Sequence, residues 1–364
     1  VDFFTKKYGE GTDIKDGKLE FYSPLMNSLI KPLIEKKRKE HETLFNEVGI
    51  LVQANFSQRT IELYMEILKN KQTIEYLLEQ DYNLLSISGL LTNIAQINVL
   101  RAKIEGRVKK DLESKIEEAE EKLNSAKKQL NQTYENIKSY QGFEWLIFAY
   151  TYLKDAETSV NTLRAREEVD SELFYQACLA IELCDIFTDF TKIVEAIDEK
   201  GKKAEDLKKS MKDFAFRMIQ TAEYTLKTVQ PEHVNNPEEE FLLLKTTNYY
   251  VPVMEKAFKE GDYLKTIDTA QQVIYNAEII KAAFLQAPQS YIRNMITQKF
   301  LEFNQLILLT RQKGKFDAIL PLFYYEKAAG PMGEPSKMIA SANLSMTLIG
   351  VMEQELRPSA IFTT

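Results

Sequence analysis

Residues 33–230 contain no proline, and only Gly49, Gly89, Gly106, Gly142 and Gly201 interrupt those 198 positions with glycine. Proline costs about 3 kcal/mol inside a helix and glycine about 1 kcal/mol, so a stretch this clear of both is one that helices can occupy nearly end to end. The expected fold class is all-α: an elongated helical bundle with a long helical hairpin or coiled-coil arm, followed by a layered array of antiparallel helix pairs.

Breaker residues divide the chain. Residues 1–20 are polar and hold three of the thirteen glycines, which reads as an irregular N-terminal arm. Ser23 before Pro24 is an N-cap with proline at the first helical position, opening a helix to about Val52. Ser57 caps a second helix to about Glu79, and Asp81 and Asn83 mark the turn after it. From Leu84 to Tyr140 the pattern fits one helix or two joined at Gly106, and residues 21–140 together read as a long-helix bundle. Residues 141–312 read as a helix-pair array, with helices at 143–167, 171–199, 203–230, 238–259, 263–286 and 289–312. Their signals are Asp170, Gly201, Pro231, Pro237, Gly261 and Pro288. Residues 313–364 hold the loop Gly330–Pro335 and a C-terminal helix from Ser336 to Leu356.

The clearest periodicity lies in the arm. Ile116, Leu123, Leu130 and Ile137 share one heptad position, while Ala119, Ala126 and Thr133 share the other. The small residues let a facing helix come close. Either a helix of the same chain fills this stripe, or a second molecule does. Ile116, Ala119, Leu123, Ala126, Leu130 and Ile137 are therefore the partner-binding residues the sequence suggests. Ten positive and eight negative side chains are interspersed between Arg101 and Lys138, which suits a solvated flank rather than a basic stripe.

The segment Ala257-Phe258-x-x-Gly261-Asp262-Tyr263-x-x-Thr266-Ile267 resembles the helix-turn-helix junction of a tetratricopeptide repeat. The resemblance covers one repeat, with Met254 and Thr266 where that family carries small residues. It implies a helical interaction scaffold that holds segments of partner proteins.

Chemistry is sparse. A formal net charge of −7 argues against binding to a phosphate backbone, and no run of 18 apolar residues announces a membrane span. His41 and His233 are the only histidines, and neither stands at metal-ligand spacing. Cys178 and Cys184, six apart on one helix, lie beyond disulfide reach and read as buried thiols, compatible with a reducing compartment. No catalytic group or cofactor site is expected. Asp185 and Asp189 are weak metal candidates, since i, i+4 carboxylates on an apolar helix can hold Mg²⁺ and through it a diphosphate.

The reading that results is a non-enzymatic helical scaffold or adaptor that binds a protein partner through its helical surface or its arm. The alternatives are a Mg²⁺-dependent helical enzyme acting on an isoprenoid-type diphosphate and a structural component of a cell-surface assembly. A cytoplasmic location is favoured. Val1 in place of methionine leaves an exported soluble part of a longer chain as the other compartment reading.

Overall fold

The computed structural model describes residues 14–15, 18–19, 24–55, 57–165, 169–201, 203–284, 319–330 and 334–355. These residues are all-α apart from a two-residue antiparallel pair, β1 (Ile14–Lys15) and β2 (Lys18–Leu19), with Ile14 opposite Leu19. The expected cap at Ser23 and the helix expected at 289–312 lie outside the described residues. Two compact units form, one of residues 29–204 and one of 1–28 with 205–364. The chain passes between these units at 28/29 and 204/205.

The 29–204 unit contains α1 (Pro24–Ala54) from Leu29 onward, α2 (Gln58–Glu79), α3 (Asn83–Ile104), α4 (Val108–Asn136), α5 (Tyr140–Ala165) and α6 (Asp170–Lys200). Ser57 caps α2 by accepting from the Thr60 amide at 3.2 Å. Asp81 ends that helix with φ 57°, and its neighbour Tyr82 donates back to the Leu77 carbonyl at 2.9 Å. Gly106 decides the open question after α3. Its φ of 64° and the 2.8 Å bond from the Arg107 amide to the Ala102 carbonyl form a left-handed helix stop, so the chain breaks into two helices there.

α3 is apolar nearly all round, with Leu84, Ile87, Leu90, Leu91, Ile94 and Ile97 buried. Among the described residues it is the one helix long and apolar enough to cross a membrane. Burial of 67% of its apolar window accounts for the composition, because a helix packed on several sides needs no polar face. α1 and α2 cover it through Val48, Val52 and Ile67, which pack with Ile97 and Leu100 of α3.

α6 is the axis of this unit, lying against α3, α4 and α5. α5 runs antiparallel to it, and Phe148, Tyr152 and Phe190 pack at centroid distances of 5.1–5.5 Å. The start of α5 is fixed by Asp198, whose carboxylate accepts from the Lys138 and Ser139 amides and the Ser139 hydroxyl. A Cβ on Gly142 would run into that same carboxylate, which is why glycine stands there.

The second unit contains α7 (Leu207–Lys227), a 3-10 turn at Pro231–His233, α8 (Pro237–Lys245), a π turn at Thr246–Tyr250, α9 (Val251–Glu260), α10 (Tyr263–Phe284), α11 (Ile319–Ala329) and α12 (Pro335–Glu355). α10 is its core helix, packed on α7, α9 and α12 with Ile267, Ala270, Val273, Ile274 and Ala277 buried. The junction Gly261-Asp262 forms as a turn. Gly261 has φ 79°, the Asp262 amide returns to the Ala257 carbonyl at 2.9 Å, and Asp262 caps α10 by accepting from the Lys265 amide at 3.0 Å. Met254 and Thr266 are both buried.

The uniform helix expected at 238–259 is divided in the structure. Pro252 brings no amide hydrogen and crowds the carbonyl four residues back. The backbone widens into the π turn just ahead of it, and the Val251 amide reaches the Thr246 carbonyl five residues back. The Thr246 hydroxyl donates to the Leu242 carbonyl at 2.7 Å and accepts from Asn276 on α10 at 3.0 Å, which pins the widened turn to the core.

Candidate functional site

The heptad stripe of α4 is filled from within the chain. Ile116, Ala119, Leu123 and Ala126 are buried, Leu130 and Ile137 are half-buried, and the helix facing them is α6. The pairing is parallel. Lys122 meets Asp185, Gln129 meets Thr191 and the Lys138 amide meets Asp198, at offsets of 63, 62 and 60 residues. α5 runs the other way on α4, with Lys127 on Glu157 and Arg164 on Glu120. The six residues suggested as partner-binding therefore form an internal seam, closed by the chain's own sixth helix because three long helices with short connections return to a parallel neighbour. Leu130 and Ile137, at the C-terminal end of the stripe, stay partly accessible.

Asp185 and Asp189, the weak metal candidates, each stand in an ion pair. Both oxygens of Asp185 receive the Lys122 ammonium at 2.6 Å. Asp189 receives Lys36 at 2.6 Å and Lys192 at 3.2 Å, and these two lysines hold its carboxyl below the usual range against the opposing effect of burial. The partners from other helices are Lys122 of α4 and Lys36 of α1, while Lys192 lies on α6 itself. Among the described residues no group of three or more histidine, cysteine, aspartate and glutamate side chains gathers as metal ligands do. Cys178 and Cys184 are buried, and burial pushes both thiols up to about 12, which leaves them protonated and unreactive at neutral pH.

A polar knot that the sequence did not announce lies under α1. Lys37 donates to Glu182 of α6 at 2.6 Å and to Glu40 at 3.0 Å, and both Lys37 and Glu182 are buried. Burial alone would lower the Lys37 ammonium; the two carboxylates outweigh it and hold the group charged. One turn on, His41 is buried beside Asn93 of α3, whose amide donates to Nε2 at 3.1 Å and to the Ile67 carbonyl at 3.1 Å. Burial and the Lys71 ammonium lower His41 to about 4, against Glu42 and Glu75.

The imidazole is thus neutral in the fold, while the unfolded chain binds a proton near 6.5. Stability is complete above pH 6.5 and drains away as the pH falls towards 4, by about 3 kcal/mol. Urea unfolding of the wild type and His41→Gln at pH 7 and pH 4 tests this. The stability gap between them should shrink on acidification, and a constant gap would remove His41 from the acid response.

Three large apolar side chains stand exposed on α8 and the π turn. Phe241 is 66% exposed, Leu244 51% and Tyr249 58%. The extra residue taken up by the π turn sets Tyr249 where an undistorted helix would place residue 248, so the three fall at i, i+3 and i+7 on one face. Asn236 caps the helix by accepting from the Glu239 amide at 2.9 Å, and the exposed Glu238 and Glu240 rim the start of the face. Lys245 is drawn over the Tyr250 ring at 5.7 Å. The signal in the sequence is the run Phe241-Leu242-Leu243-Leu244: four consecutive apolar residues spread over the whole circumference of a helix, so a helix buried on one side must show some of them to water. Beside it, His233 closes the preceding turn, its Nδ1 accepting from the Gln230 amide at 2.8 Å.

No family model, curated protein or solved structure matches this chain.

Proposed function

We propose that the protein is a non-enzymatic α-helical scaffold that binds a protein partner through the face of α8 carrying Phe241, Leu244 and Tyr249. The observation that supports this reading is that three large apolar side chains, each more than half exposed, share one helical face on a pinned element. Apolar side chains grouped in this way mark interaction sites more often than isolated ones do. Aromatic residues with Glu238 and Glu240 at the rim suit an amphipathic partner segment that carries basic side chains around an apolar stripe.

The proposal uses the helical surface in place of the arm, because the arm's apolar stripe is the α4–α6 seam. The test is affinity capture from native extract with the wild type and with Phe241→Asp/Leu244→Asp. A prey recovered by the wild type and reduced at least tenfold with the variant, at an unchanged melting temperature, is the expected result. Equal recovery overturns the assignment of this face.

A further inference from the structure

A cleft where α2, α3 and α6 meet has a volume of about 200 Å³. Leu63, Ile67, Val99 and Leu100 supply its apolar lining, and Lys103, Glu172 and Tyr175 are among its polar groups. The Lys103 ammonium makes no hydrogen bond or ion pair with any described residue, unlike the lysines of the α1 and α4 ion pairs. Burial and the nearby Arg59 guanidinium of α2 lower its pKa, with Glu172 of α6 acting against them. More of it is therefore neutral amine near pH 7 than of a solvated lysine. Tyr175 is pushed the other way, by burial and by Glu172 and Glu66, so its phenol keeps its proton and can donate it in a hydrogen bond.

We propose that this cleft takes a small neutral aldehyde and holds it as an imine on Nζ of Lys103. The Lys103 lone pair adds to the carbonyl carbon, forming the C–N bond while the carbonyl π pair moves to oxygen. That oxygen gains a proton as the nitrogen loses one, giving a carbinolamine. Its hydroxyl then leaves with a second proton as water, and the nitrogen pair closes the C=N bond. One amine and one aldehyde give one imine and one water, with no oxidant or reductant. Tyr175 donates a hydrogen bond to the carbonyl oxygen, and Glu172 carries the proton between nitrogen and leaving hydroxyl. The carboxylates Glu66 and Glu172 of the lining are matched by Lys103 and the nearby Arg59, a balance that suits a ligand without net charge. The cleft's volume of about 200 Å³ admits a short-chain or single-ring aldehyde.

The experiment treats the whole chain with benzaldehyde and sodium cyanoborohydride across pH 6–9 and reads each lysine by peptide mass mapping. Lys103 should be labelled at least tenfold faster at pH 7 than the exposed Lys31 and Lys39, with a labelling midpoint at lower pH. Tyr175→Phe should slow that labelling severalfold at an unchanged melting temperature, and Lys103→Arg should abolish it. Labelling of Lys103 no faster than of Lys31 and Lys39, or a rate unmoved by Tyr175→Phe, overturns the proposal. The result is independent of partner capture through α8.

Discussion

Cutting Glu182 back to alanine should cost the fold about 3–5 kcal/mol, the range for breaking a buried ion pair from one side. Lys37 and Glu182 are 3% and 7% exposed, and their 2.6 Å contact joins α1 to the axial helix α6. Removal of the carboxylate leaves the Lys37 ammonium desolvated with only Glu40, a 3.0 Å partner that is itself part-exposed. Glu182 feels the same burial, which pushes its carboxyl up against the pull of Lys37.

The pair's value lies in each charge answering the other, so replacing both with apolar residues should be far milder than replacing one. Lys37→Met/Glu182→Leu is expected within about 1–2 kcal/mol of the wild type, on either side. Urea midpoints for the two single variants, the double variant and the wild type form a closed cycle. A Glu182→Ala loss below 1 kcal/mol would show that water reaches the pair, and its role in placing α1 would fall. Lys36 on Asp189 makes the useful control. It joins the same two helices, but Lys36 is largely solvent-exposed, so its removal should cost about 1 kcal/mol or less.

The sequence carried the parts of the fold that are local. Ser57, Asp81, Gly106 and Gly261 end or begin helices by bonds within five residues of themselves, so their meaning can be read in place. Periodicity identified the buried face of α4 for the same reason, since Ile116, Ala119 and Leu123 are neighbours on one helix. What periodicity does not contain is the identity of the helix opposite. α6 reaches that stripe only after the chain has travelled through α5 and back, and no residue of α4 specifies that return. Asp185 and Asp189 follow the same rule. Their spacing is local, and so is Lys192 beside Asp189, but Lys122 and Lys36 reach them from 63 and 153 positions away.

The candidate sites were less legible still. The run Phe241–Leu244 was open to view, yet its exposure depends on how α8 meets α10. Pro252 signalled a missing amide, while the π turn that accommodates it depends on Asn276 reaching Thr246 from thirty residues away. Lys103 belongs to a cleft assembled from three helices, and a lone lysine in the last turn of a helix carries no sequence mark of its neighbours. Long-range charge and exposure, rather than helix formation, are therefore where reading from one chain stops.

Leu123→Lys separates the two roles open to the α4 stripe. Leu123 is 2% exposed at the seam with α6. An ammonium forced into that position loses its water and gains no partner, and the lost leucine contacts add to the cost. The expected loss is about 4–5 kcal/mol, a large share of the roughly 5–15 kcal/mol that holds an ordinary domain folded. The neighbouring Lys122 marks the contrast, since its ammonium stands at the seam's edge and is neutralised by Asp185. Ala119→Leu should be milder yet still costly, about 1–3 kcal/mol, because Ala119 is fully buried and α6 must move to admit the extra atoms. If the stripe served a second molecule instead, Leu123→Lys would keep its helical circular dichroism and melting temperature and lose only partner capture. The seam requires the reverse order: helicity and the melting transition fail first, and any loss of capture follows from the loss of folded protein.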